Sequence, residues 1–386
     1  MRTANLFSII RPVDTEKKLL LLGESAASDV AGANDRGPCE RRGIEEFIYP
    51  ARLPGGRVLR QFKVLLDNAC HFSCAYCAQR AGRDTPRTRF TPEELAGLFD
   101  SLVRRGAVDG LFLSSGVGAR PVATMDRMLA AVEIIRRRFG FAGFVHLKIL
   151  PGAERAQVDR AAELADRLSI NLEAPSATYL SSLSAQKDLE GDILRRVGWI
   201  ASAIRERRAR ARSHTTQFVV GAGSERDLDI LSMSARLYRE QGLGRAYYSA
   251  FRPVPDTPLQ DRPATPSIRQ HRLYQADFLL RCYGFSPAEL LLDPDGNLDG
   301  ASDPKLVWAC AHPERFPVEI TRAGREELLR VPGFGAKTVR RILAARRQAG
   351  LRDFHDLARL APLARKAAPF VLIRGRACKT QLSWDL

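Results

Sequence analysis

The stretch Phe62-Lys-Val-Leu-Leu-Asp67-Asn-Ala-Cys70-His-Phe-Ser-Cys74-Ala-Tyr76-Cys77 decides how this chain is read. Its first six residues form an apolar run bounded by polar neighbours, the pattern of a short buried strand. Three cysteines follow at C-x3-C-x2-C spacing, with the aromatic Tyr76 directly before the third. They therefore sit on a loop leaving the C-terminal end of a strand, where α/β folds place their chemistry. Thiolates are the ligands of iron–sulfur clusters, and three in a tight loop can hold three irons of a [4Fe–4S] cube and leave the fourth open. Two plainer readings compete. A zinc knuckle needs a fourth ligand, and His71, adjacent to Cys70, is badly placed for it. A thioredoxin-like pair would use Cys74 and Cys77 and leave Cys70 unexplained.

Outward from the loop, 386 residues leave room for two or three domains and a large core. The formal charge of +16 suits a polyanionic partner. The other four cysteines, Cys39, Cys282, Cys310 and Cys378, are scattered, which suggests no disulfide framework and fits a reducing cytoplasm. The early apolar run Leu19 to Leu22 is too short for a signal peptide, and nothing approaches a membrane span. Residues 1–45 show little periodicity, and Gly23 to Gly37 reads as loop.

From about Arg57 to Arg262 strand and helix patterns alternate. Thr91-Pro-Glu-Glu94 is a capping box opening a helix to about Arg105. Further strands are expected at Gly110–Ser114, Gly143–Ile149, Leu168–Leu172, Gln217–Gly221 and Ala246–Phe251. Helices are expected at Thr124–Arg138, Ala153–Arg167, Asp188–Arg210 and Arg226–Gln241. With the first strand that makes six βα units: an α/β fold, a partial (β/α)6 barrel with a parallel sheet and helices outside. The prolines from Pro253 to Pro266 close it, and a helix follows at Ser267–Tyr283. Asp293-Pro-Asp295-Gly-Asn297-Leu-Asp299 imitates a calcium loop, but Pro304 stands where the bidentate Glu belongs, so a turn is expected.

The cysteine loop and the barrel behind it resemble the radical S-adenosylmethionine (radical SAM) superfamily. The resemblance implies an enzyme with Cys70, Cys74 and Cys77 holding a [4Fe–4S] cluster whose open iron chelates SAM. One electron, from a donor such as flavodoxin or ferredoxin, then yields a 5′-deoxyadenosyl radical that abstracts hydrogen. It also implies SAM contacts from Tyr76, from Ser114, Ser115 and Gly116 (in place of a Gly-Gly-Glu-like motif), and from Asn171 and Glu173, alternating on one strand. Gly221 in a glycine-containing motif near adenine, and Tyr248 and Ser249 beside it, complete the set. His146 and Lys148 alternate along the third strand and point the same way. Arg80, Arg83, Arg87 and Arg89 could line the mouth of the site. Arg195, Arg196, Arg205, Arg207, Arg208, Arg210 and Arg212 read as a solvated helix face.

A second signal lies near the C-terminus. Glu326 to Ile342, with Val331-Pro-Gly333-Phe-Gly335-Ala-Lys337 at its centre, is a short helix, a Gly-x-Gly turn and a second helix. It resembles a helix-hairpin-helix motif, in which Gly333, Gly335, Lys337, Arg340 and Arg341 would meet a nucleic-acid backbone. From Thr321 onward 15 Lys and Arg face 5 Asp and Glu, so most of the excess charge is here. Residues 353–370 resemble the degenerate second half of such motifs. A Gly-turned hairpin that docks protein is the competing reading. The expected organisation is an N-terminal segment 1–45, a core 46–262, a helical linker 263–318 packed on the barrel, and an all-α nucleic-acid-binding domain 319–386. The whole resembles the family of DNA modification/repair radical SAM proteins, whose members tend to accompany uracil-DNA-glycosylase-like proteins. It implies radical chemistry on DNA; RNA or protein as substrate, and a non-catalytic DNA-binding iron–sulfur protein, stay open.

Overall fold

The computed structural model describes residues 13–26, 43–52, 58–206, 209–348 and 350–378. Cys39, Arg207, Arg208 and most of the Gly23–Gly37 stretch lie outside them. Two compact units emerge: residues 1–225 with 236–266, and residues 226–235 with 267–386.

The first unit is built on seven strands in spatial order of sequence: β1 (Ile48–Arg52), β2 (Val58–Leu65), β3 (Gly110–Ser114), β4 (Phe144–Lys148), β5 (Arg167–Ser169), β6 (Ser213–Val220) and β7 (Arg245–Ala250). β1 runs antiparallel to β2, and β2 to β7 are parallel throughout. This is the expected partial (β/α)6 barrel, a curled half-barrel with one extra edge strand. The helices are α1 (Val13–Ser25), α2 (Pro92–Arg104), α3 (Pro121–Glu133, continuing to Arg138), α4 (Arg155–Leu164), α5 (Ala177–Leu183), α6 (Arg195–Arg205) and α7 (Asp227–Gln241). Thr91 caps α2 as the sequence requires, with both hydrogen bonds of the capping box present. α1, β1 and α5 were not expected from the sequence; each is short or weakly periodic. No described helix is long and apolar enough to cross a membrane.

Strand register sorts the side chains into two faces. Phe62, Val64, Leu111, Leu113, Val145, Leu147 and Leu168 are buried on the helix-covered face. The alternate positions, Gln61, Lys63, His146, Lys148 and Ser169 among them, face the hollow.

The entries to β4 and β5 are held by one half-buried arginine. Arg136 Nε donates to Leu164 O (2.8 Å), its Nη1 to Phe141 O and Gly143 O (both 2.7 Å), and its Nη2 to Asp166 (2.7 Å). Asp166 also accepts the Val145 amide and Arg210 Nε. Arg210 is thus a brace and not part of a solvated face, and Arg196, which donates to Asp192 O, is buried too.

The second unit adds α8 (Ser267–Tyr283), α9 (Pro304–Ala311), α10 (Arg325–Arg330), α11 (Ala336–Gln348), α12 (Phe354–Leu360) and α13 (Ala364–Ala367). The expected all-α region needs an amendment. β8 (Val318–Glu319), β9 (Val371–Ile373) and β10 (Arg376–Ala377) form a small sheet, too short to show alternation in sequence. β8 lies across the boundary expected at 318/319, and residues 267–318 group with the C-terminal residues. The reason is packing: Arg330 lies over the rings of Phe285 (4.4 Å) and Trp308 (4.8 Å) and pairs with Glu289 (2.7 Å). The calcium-loop mimic is a turn, with Asn297 N–H on Asp293 Oδ1, and Pro304 opens α9 behind its cap Asp303.

Arg136→Met should strand three carbonyls and the Asp166 carboxylate. We expect it to lower stability by about 1–3 kcal/mol in urea unfolding, as leaving partly buried acceptors unpaired does.

Candidate functional site

The cysteine loop is sewn to the turn after β3. Leu66 N–H donates to Ser114 O (2.8 Å), Gly116 N–H to Asp67 O (2.6 Å) and His71 N–H to Val117 O (2.8 Å). A side chain on Gly116 would put its Cβ 2.6 Å from Ala69 O, so only glycine fits. The Ser115 hydroxyl donates to Asp67 O and Gly116 O. Ser114, Ser115 and Gly116 therefore adjoin the cysteines, and these polar groups hold the loop.

Beyond Cys77 the chain returns to Asn68, which is buried, donates to Pro86 O and accepts the Thr88 amide. Arg87 donates to the carbonyls of Asn68, Gln79, Arg80 and Arg83. Arg83 serves Ala78 O and Pro255 O, and Arg80 serves Ser73 O. These guanidinium groups brace backbone, a role that charge in a sequence does not reveal.

Cys74 is buried with its Sγ 3.3 Å from Ser184 Oγ, and Cys70 and Cys77 are half-buried. Burial pushes the Cys70 thiol up and the Cys77 thiol to about 12, and the neighbouring thiols add to both shifts. The three sulfurs thus feel one another across a small volume. Such thiols need a cation's charge to ionise, which cluster iron supplies. The described residues gather no group of three or more His, Cys, Asp or Glu about a single-ion site. A cube asks for something else, one thiolate per iron, and the loop fits that donor set.

Glu173 lies beyond β5 with φ +66°, rare for a residue with a side chain. Ile170 N–H bonds Thr215 O, but Glu173 N–H, not Leu172 N–H, bonds Gln217 O (2.9 Å). One extra residue has entered the pairing, a bulge that re-aims the side chain. The carboxylate accepts Lys187 Nζ (3.0 Å) and the Tyr76 hydroxyl, and Asn171 Nδ2 stands 3.5 Å away. Burial opposes the charge on Lys187, yet Glu173 and the thiols of Cys74 and Cys77 outweigh it and hold its pKa above the ordinary lysine range. Burial, then Glu173, raises Tyr76 well above its usual value. Lys187 was missed in the sequence because it lies 14 residues past Glu173 with no motif around it.

Past β6, Gly221 has φ +84°, and a Cβ there would strike the Thr265 hydroxyl. The amides of Gly221 and Gly223 donate to Glu225, and Arg262 donates to both glycine carbonyls. On β7, Tyr248 is fully buried on the helix-covered face, stacked on Phe218 (6.1 Å), whereas Ser249 faces the hollow.

In the second unit the turn 331–335 joins α10 to α11, as expected. Gly333 (φ +83°) lies against Leu363, whose carbonyl a Cβ would approach to 2.9 Å; at Gly335 a Cβ would stand 3.0 Å from the Tyr283 hydroxyl. Gly333 is thus required by its backbone and its packing, and Gly335 lies close against Tyr283. Lys305 Nζ donates to Phe334 O (2.5 Å) and sits over the Tyr283 ring (4.6 Å). Lys337, Arg340 and Arg341 are exposed on α11.

Comparison with known proteins adds the following. Residues 64–225 match the Radical SAM superfamily model. Among curated proteins none matches. Among solved structures, a HydG maturase of the [FeFe]-hydrogenase aligns at 14% identity and TM-score 0.46, over 56% of this chain and 48% of that one. Methylornithine synthase (PylB) aligns at 14% and 0.43, over 83% and 75%. A radical SAM methyltransferase from Sphaerobacter thermophilus aligns at 17% and 0.44, over 60% and 70%. The chain thus spans about half the length of the HydG maturase, and likenesses this distant say nothing of substrate.

Two outcomes follow from the buried groups. Glu173→Gln should cost about 3–5 kcal/mol by leaving Lys187 buried and unpaired, and adding Lys187→Met should restore much of that in urea unfolding. Burial, against Asp303 and helped by Lys366, lowers the Lys305 pKa from 10.5 to about 7. The unfolded chain then holds this proton more tightly, so the cost of burying the charge is full below pH 7 and fades toward 10.5. Stability should rise with pH across that window, and Lys305→Met should flatten the rise.

Proposed function

We propose that this radical SAM enzyme, with a [4Fe–4S] cluster and S-adenosylmethionine as its cofactors, acts on a nucleotide of DNA gripped by its C-terminal helical unit. The observation that carries the reading is the pairing of the cysteine-loop half-barrel with a separate Gly-turned helical hairpin bearing Lys337, Arg340 and Arg341 on its exposed side. This hairpin resembles a helix-hairpin-helix motif.

The residues divide the work. Cys70, Cys74 and Cys77 would hold the cluster. Lys187, a buried ammonium beside the thiols, is placed to receive a carboxylate of the cofactor. Glu173 fixes Lys187 and, with Asn171, offers acceptors to an ammonium or to ribose hydroxyls. When bound, the reduced cluster and SAM supply a 5′-deoxyadenosyl radical able to abstract hydrogen. The cations on α11 would neutralise phosphates and position the strand without reading sequence. A base or sugar inside a duplex would have to be extruded to reach a barrel.

DNA affinity should fall steeply with salt. Lys337→Ala should remove about one phosphate contact and flatten the salt slope by roughly one unit, read by fluorescence anisotropy. Anaerobic turnover with deuterated DNA and SAM should carry label into 5′-deoxyadenosine. Label from no DNA, duplex or single-stranded, together with an unchanged slope in Lys337→Ala, would overturn the DNA reading.

A further inference from the structure

The six parallel strands, β2 to β7, contain no aspartate or glutamate at any position. They do carry cations on the face turned to the hollow: Lys63 on β2, Lys148 on β4, Arg167 on β5 and Arg245 on β7. Closed (β/α)8 barrels fill that space mostly with branched apolar side chains. Here the helix-covered face is largely apolar, and the hollow-facing one mixes charged and polar side chains with apolar ones. Lys63 is fully buried, 4.2 Å over the ring of Tyr49. Lys148 is half-exposed at the strand end on the cysteine-loop side.

His146 shares the register of Lys63 with Phe112 between them, lies two residues before Lys148 on β4, and is 1% exposed. Its Nε2 is 2.9 Å from Ser169 Oγ, and its ring meets Phe112 edge-on at 4.6 Å. Its Nδ1 has no hydrogen-bond partner among the described residues. A buried, unsatisfied ring nitrogen is costly and asks for a group to complete it. Burial, then Arg167 and Lys148, lowers the His146 pKa well below its ordinary value, which favours the neutral imidazole. The Ser169 hydroxyl can donate to Nε2, which puts the ring hydrogen on Nδ1 and makes Nδ1 a donor.

We propose that the hollow of the half-barrel is the substrate site and takes an anionic, phosphate-bearing unit, with Lys148 and Lys63 balancing its charge and His146 Nδ1–H donating to it. This rests on the nucleotide reading above and sharpens it: the target enters as a nucleotide with its phosphate. A donor that stays neutral binds an oxyanion without an added buried charge, and the flanking lysines supply the attraction.

The test uses the full chain with its cluster reconstituted and its SAM site saturated. Calorimetry compares thymidine 5′-monophosphate, thymidine, inorganic phosphate and acetate. The monophosphate should bind at least about ten-fold more tightly than thymidine, as one or two charge-assisted hydrogen bonds allow. Phosphate should compete with it, and acetate should not. Lys148→Met and His146→Ala should each lose most of the preference, Lys148→Arg should keep it, and iron content should stay unchanged in all three. Lys148 is half-exposed at a strand end, so its variants do not depend on repacking a core. Equal affinity for nucleoside and nucleotide, or a preference untouched in Lys148→Met, overturns the proposal, and acetate competing as well as phosphate overturns its phosphate specificity. DNA anisotropy on the same samples separates the two readings. A nucleotide preference without DNA binding keeps the anion site and removes DNA. DNA binding without the preference does the reverse.

Discussion

The site depends on a short zip of backbone hydrogen bonds between the cysteine loop and the turn after β3. Each N–H and C=O on a loop must find a partner or water, and here Leu66, Gly116 and His71 find theirs across that seam. The seam works only because residue 116 has no side chain, since a Cβ would collide with Ala69 O. Asn68 and Arg87 then close the loop from the far side. A segment with almost no regular structure is thereby held from both sides, as a multi-ligand centre requires.

A second constraint is the bulge at Glu173. A left-handed backbone costs of order 1–3 kcal/mol in a residue with a side chain and persists only where the surroundings insist on it. The buried ion pair with Lys187 is that insistence. It ties the end of β5 to the chain after α5, beside the thiols. Buried pairs of this kind contribute little net stability but penalise any other arrangement, which makes them effective at fixing geometry.

The second unit solves a related problem. Its turn is tight because two glycines let Leu363 and Tyr283 approach, while Lys305 accepts a costly burial to satisfy the Phe334 carbonyl. The helices before Val318 are therefore part of what shapes the turn, which explains why the boundary expected at 318/319 falls within a packed unit.

How much of this was legible in the sequence follows from range. Local patterns act over a few residues, so the six parallel strands, the capped helix at Thr91 and the Ser267–Tyr283 helix were expected close to where they occur. The cysteine spacing carried the cofactor for the same reason: the donors lie within eight residues of one another. What tertiary structure alone decided are relations between distant positions. Lys187 meets Glu173 through a one-residue bulge that no periodicity encodes, and Tyr248 turns to the helix-covered face while its neighbour Ser249 turns to the hollow. Arg80, Arg83 and Arg87, which the sequence sets at the mouth of the site, prove to be braces, because carbonyls brought near by the fold satisfy them first. Composition counts charge; only the folded chain decides which charges are already spent.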